Sequence, residues 1–158
     1  MPPADRLKWV VHGGGRMSAE RGFTPAEWQT LQFAPFWVFS GLVGAYRNFD
    51  PLEYEVFAQL LEDAAGAPGQ FAHDVIMSVL RDRGRLAQRF ETDDRTIARG
   101  LCAVAALLNR IPPGEAELFK EMLISNVGVS MAKARGRFGR VMSEDDEKTL
   151  ALIAQFLA

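Results

Sequence analysis

The feature that most constrains this chain is the stretch Phe33–Tyr46, fourteen residues reading FAPFWVFSGLVGAY with almost no polar side chain. Apolar area left in water costs about 25 cal/mol per Å², so such a block has to be covered. It is too short to cross a bilayer, which takes about 20 residues. A helix that is apolar around its whole circumference belongs inside a core, and the block therefore predicts a helix enclosed by its neighbours. A short polar break, Arg47-Asn48-Phe49, follows it. Asp50-Pro51-Leu52-Glu53 then reads as a helix start: Asp50 caps free amides, Pro51 suits the first helical position, and Glu53 reaches back to the cap. Tyr54, Phe57, Leu61 and Ala65 recur on one face of that second, acidic helix.

The rest of the chain repeats this grammar. Thr24-Pro25-Ala26-Glu27 opens a first helix through Trp28 and Leu31, which Pro35 is expected to end or kink. Gly66-Ala-Pro-Gly69 stops the acidic helix. Between Gln70 and Phe90, the residues Phe71, Val75, Val79, Leu86 and Phe90 share one helical face, with a bend expected at Gly84. Thr92-Asp93-Asp94 reads as another start, its acids placed favourably against the helix dipole. Ile97, Leu101, Val104, Leu108 and Ile111 then form the cleanest amphipathic stripe, halted by Pro112-Pro113-Gly114. A long helix is expected from Glu115 to Ala134 on Leu118, Met122, Ser125, Val129 and Ala132. Ser143-Glu-Asp-Asp146 caps a terminal helix bearing Leu150, Ile153, Ala154 and Leu157. No strand pattern appears after residue 22. The expected fold is all-α, a compact bundle of about seven helices, with residues 1–22 as an N-terminal arm or linker and 23–158 as the helical domain.

Composition excludes several function classes. With 18 Lys and Arg against 20 Asp and Glu, the net charge is −2, which argues against bulk attraction to nucleic acid. Met1-Pro-Pro-Ala-Asp5 leads into charge rather than a long apolar core, so no signal peptide is read and the expected location is cytoplasmic. The single cysteine, Cys102, lies in an apolar helical pattern and is expected to be a buried small hydrophobe rather than a nucleophile. Gly13-Gly14-Gly15 is followed by no Gly-Lys-Ser/Thr and makes a flexible joint, not a phosphate loop. His73-Asp74 lacks a second ligand at the next turn, where Met77 stands, and His12 is remote, so a zinc helix motif is absent. The serines have no nucleophile-elbow setting. The chain does not read as an enzyme.

The two ends of the helical array look alike. A helix ending Val43-Gly-Ala-Tyr46 leads to Asp50-Pro-Leu-Glu53 and Phe57-Ala-Gln-Leu-Leu61; a helix ending Ser130-Met-Ala-Lys133 leads to Ser143-Glu-Asp-Asp146 and Leu150-Ala-Leu-Ile-Ala154. Two such hairpins can pack with their loops at one end. The residues Trp28, Leu31, Ala34-Pro35, Val43-Gly-Ala45, Phe49-Asp50-Pro51-x-Glu53, Ala134-Arg-Gly-Arg-Phe-Gly139 and Ser143-x-x-Asp146 resemble the tellurite-resistance TerB-like domains, over roughly residues 24–157. The resemblance implies an all-helical bundle of two related halves. It also implies acidic interhelical loops that bind divalent cations, or a module in stress-response and membrane-linked assemblies.

This sequence departs from that family in its first loop. Where the family places Asp-Gly, it has Tyr46 and Arg47, which removes ligand charge and adds repulsion, while hard cations require several converging oxygens. Asp50, Glu53 and Asp146 are explained by capping alone. Two basic clusters stand out: Arg81, Arg83, Arg85 and Arg89 at one helix end, and Lys133, Arg135, Arg137 and Arg140 before the last helix. Cations near helix C-termini are commonly solvated; guanidinium forks also bind carboxylate or phosphate in pairs. The reading favoured is a non-enzymatic module binding a protein partner or small anionic ligand through Tyr46, Arg47, Arg135, Arg137 and Arg140, with no nucleic-acid partner, within reach of a peripheral membrane-linked complex. The alternative is a divalent-cation protein using Asp50, Glu53, Asp145 and Asp146. Oligomeric state is not legible.

Overall fold

The computed structural model describes residues 19–44, 50–135 and 143–158, with the backbone alone at 134 and 135. Among the described residues every regular element is helical. A 3₁₀ turn, Ala19–Gly22, precedes α1 (Pro25–Val43), α2 (Pro51–Ala64), α3 (Gln70–Arg81), α4 (Arg83–Thr92) and α5 (Ile97–Leu108). Helix α6 starts as Pro113–Glu121, widens into a π-helical segment, Met122–Val129, and resumes as Ser130–Arg135; α7 is Glu144–Leu157. The all-α class read from the sequence is the observed one. Of the predicted arm, the described part is packed down: the Ala19–Gly22 turn lies against α3 with Ala19 buried.

The apolar block forms the axis. Leu31, Phe33, Ala34, Phe36, Trp37, Val38 and Phe39 have no exposed surface, and α1 touches each of the other six helices. Phe36 and Phe39 meet Phe57 of α2 with ring centroids 4.9 and 4.6 Å apart, and Phe33 and Phe36 meet Phe90 of α4 at 5.3 and 5.2 Å. Trp28 crosses Phe71 of α3 edge-on at 6.4 Å. Gly100 lets α5 approach so closely that a Cβ there would overlap the Trp37 indole.

Four expectations are corrected. Pro35 neither ends α1 nor divides it, so the predicted first helix and the buried block are one element. A mid-helix proline removes the hydrogen bond to the Leu31 carbonyl and crowds it, costing about 3 kcal/mol. Burying a large apolar side chain contributes about 1.5–3 kcal/mol, and several flank Pro35 on both sides, so packing wins. The break in the 70–90 stretch falls at Asp82 (φ −109°, ψ 22°), and Gly84 lies inside α4. Thr92 closes α4, its hydroxyl donating to the Arg89 carbonyl at 3.1 Å, while Thr96 caps α5 by accepting from the Arg99 amide, also at 3.1 Å. Cys102 is exposed, because it stands one residue past Leu101 and therefore off the buried stripe.

The caps predicted at Thr24, Asp50 and Ser143 form as expected. Thr24 and Glu27 complete a capping box, the Thr24 hydroxyl accepting from Glu27 N at 3.1 Å and the Glu27 carboxylate from Thr24 N at 2.9 Å. The long helix expected over 115–134 also forms, with a wider turn in its middle. In the π-helical segment, amides reach back five residues instead of four. There Gly128 admits Leu150 of α7, which a Cβ would strike.

Candidate functional site

The two helix-loop-helix hairpins α1–α2 and α6–α7 both form, and the described ends of their loops face the same way. A Cβ built on Gly41, in the last turn of α1, would lie 3.6 Å from Thr149 and 3.8 Å from Ile153 of α7. Gly128 and Leu150 are in contact, Gly128 seven residues before the end of α6 and Leu150 six residues after the start of α7. α2 packs along the π-helical segment and Ser130–Arg135. The end of α1, the start of α2, the end of α6 and the start of α7 thus share one end of the bundle.

Each terminus is finished locally. Gly44 closes α1 in the left-handed region (φ 72°), which a side chain rarely adopts, its amide donating to the Ser40 carbonyl at 3.0 Å. Asp50 Oδ1 accepts from the Glu53 amide at 2.8 Å, and Glu53 Oε1 accepts from the Asp50 amide at 3.0 Å. Ser143 Oγ accepts from the Asp146 amide at 3.0 Å. The first turn of α7 carries Glu144, Asp145, Asp146 and Glu147, with Asp145 exposed and Asp146 half-buried. Among the described residues no three His, Cys, Asp or Glu side chains gather in a way that could hold a metal. Tyr46, Arg47, Arg137 and Arg140, and the side chain of Arg135, lie outside the described residues, as does His12.

The other basic cluster is held locally. Arg81 and Arg85 pair with Asp82 at 3.2 and 3.1 Å, and Arg83 lies over the Tyr54 ring at 5.8 Å. Burial would raise the Asp82 carboxyl, but its bonds to those two guanidinium groups hold it below the ordinary carboxylate range. His73 is exposed, with Nδ1 3.1 Å from the Ala65 carbonyl oxygen.

Two ion-pair straps had no signature in the sequence. Arg110, just past α5, grips Glu27 through two contacts at 2.9 and 3.0 Å, donates to the Gly22 carbonyl at 2.9 Å and covers the Phe23 ring at 4.8 Å. The Arg110 hydrogen bonds, with that from the Thr24 amide, lower the Glu27 carboxyl to about 2, and Glu27 in turn raises Arg110. Arg95 is held by Asp93 and donates to the Thr30 hydroxyl at 3.0 Å, its guanidinium lying 5.0 Å from the centre of the Trp37 ring. Partners 83 and 65 residues apart give no local pattern to read.

No protein-family model matches the chain, and no solved structure matches it. Over 111 residues it is 36% identical to the uncharacterized protein ORF11' of Methanothermobacter thermautotrophicus, covering 68% of this chain and 74% of that relative. The chain belongs to the ORF11' family. Among its described residues, no helix of this ORF11' family member is long and apolar enough to cross a membrane.

Proposed function

We propose that this chain is a non-catalytic, TerB-like helical module that binds a protein partner or small anionic ligand where its two interhelical loops meet, in a cytoplasmic stress-response or tellurite-resistance setting. The observation that carries the reading is the common end of the two hairpins, with the last turn of α1 beside the second turn of α7. The reading assigns binding to Tyr46 and Arg47 of one connecting segment and Arg137 and Arg140 of the other, and the described helix ends flanking those segments share that end of the bundle. Helix starts attract anions, and guanidinium groups bind carboxylate or phosphate in pairs.

The cation reading draws on the four acids in the first turn of α7 at that same end. It is weakened because one oxygen each of Asp50 and Glu53 is already taken by the other's amide.

A thermal-shift and titration series with phosphate, tellurite, an acidic peptide, magnesium and calcium separates the two. Whatever binds only the folded form raises the midpoint by mass action. Saturable anion or peptide binding, abolished in an Arg47→Glu, Arg137→Glu double variant, is the expected result. A calcium or magnesium shift lost in Asp145→Asn, with no anion response, would replace it with the cation reading.

A further inference from the structure

Among the described residues Asp74 is the one buried carboxylate. It lies in the first turns of α3 with 2% of its surface exposed. Gln70 Nε2 donates to Oδ1 at 2.8 Å, while Oδ2 is buried with no hydrogen-bond partner. The amide of Ala19 is directed at the carboxyl group, so the 3₁₀ turn Ala19–Gly22 forms part of its cover. A buried carboxylate with one unsatisfied oxygen costs far more than the neutral acid, which carries no charge.

We propose that the Ala19–Gly22 turn is a pH-sensitive latch, closed over Asp74 while that carboxyl is protonated and opened when it ionises and draws in water.

The surroundings decide the direction. Desolvation raises the Asp74 carboxyl above its ordinary value of 3.8, outweighing the Gln70 hydrogen bond, the pull of the Ala19 amide and the charge of His73; the Glu115 carboxylate adds to the rise. Glu115, at the start of α6, is itself anchored by the Phe71 amide at 2.9 Å. α1 meets α3 through Trp28 and Gln32, the latter donating to Ser78 at 3.1 Å, and α2 through the Ala65 carbonyl on His73. α4 joins α3 at its far end, where Asp82 is already paired. Opening the turn hydrates the carboxylate at the least loss of packing, since Ala19–Gly22 is four residues long and the other elements packed on α3 are helices of nine residues or more. Because the closed form holds the proton more tightly than the open one, raising the pH favours opening. The Arg110 grip on Gly22 does not titrate with it, because Glu27 stays ionised down to about 2. The turn therefore lifts from the Ala19 end.

The Phe23 amide reports closure, since it donates to the Glu20 carbonyl at 3.1 Å across the turn. Its hydrogen-exchange protection, corrected for the intrinsic rate, is followed by NMR between about pH 3.5 and 7.5 on either side of the ordinary carboxyl value. Protection is expected to fall by up to about tenfold per pH unit above the ordinary carboxyl value and then level off. In Asp74→Asn, which keeps the shape but cannot ionise, protection should stay flat. Gln70→Leu removes a bond that favours the charged form and should move the transition to higher pH, giving a second arm should Asp74→Asn fail to fold. A flat profile in the native chain, a parallel fall in Asp74→Asn, or an equal fall at core amides of α1 would overturn the latch.

Discussion

At the scale of single residues, close approach and charge decide more than composition does. Gly100→Ala should cost about 1–3 kcal/mol in urea unfolding, because the new Cβ falls within the Trp37 ring and a rigid indole at the axis cannot step aside. Gly84→Ala is the contrast: nothing lies within 4 Å of that position in α4, so removing backbone freedom should add about 0.5–1 kcal/mol. A Gly100→Ala protein as stable as the native chain would show that α5 is not seated on Trp37. The Glu27–Arg110 clamp makes a separate prediction. The folded carboxyl is depressed from 4.5 to about 2, so its contribution is present above the unfolded value and is lost only as pH falls through about 2. An NMR titration of Glu27 should show that low midpoint, and Arg110→Ala should return it toward the ordinary carboxylate range.

At the scale of elements, the helix starts carry their own stability and no evident chemistry. Thr24→Ala, Asp50→Ala and Ser143→Ala should each cost about 0.5–2 kcal/mol, since each side chain accepts an amide of its own first turn. If Asp50→Ala instead left stability untouched and removed a calcium-induced thermal shift, its carboxylate would be a ligand first. These starts, the stripe from Leu101 to Leu108 and the stop at Pro112 were legible from short-range spacing. The continuity of α1 through Pro35 was not, because the local cost of proline is outweighed by burial contributed from six other helices. The same holds for the break at Asp82, which depends on Leu86 and Phe90 turning into the core around α1.

For the whole molecule, stability should centre on α1. Phe39→Ala removes a ring packed on Phe57 at 4.6 Å with no exposed surface. A loss of about 3–5 kcal/mol is expected, enough to threaten a domain holding about 5–15 kcal/mol. A loss under about 1 kcal/mol on urea unfolding would mean that the axis repacks freely. The common end of the two hairpins is a property at this scale as well. Neither hairpin brings its helix ends to those of the other; the packing of α1 and α6 against α7 does.

The sequence by itself determined the helical class, the caps at Thr24, Asp50 and Ser143, the stripe of α5 and the helix buried at the centre, because each depends on residues within a few turns of one another or on an apolar block that must be covered. It also pointed to the paired hairpins. Only the tertiary structure decided that Pro35 is bridged, that Cys102 faces outward, that Arg110 and Arg95 strap distant segments, and that Asp74 is buried. Those outcomes depend on which side of a helix meets a neighbour dozens of residues away, where burial and charge pairing outweigh local preference.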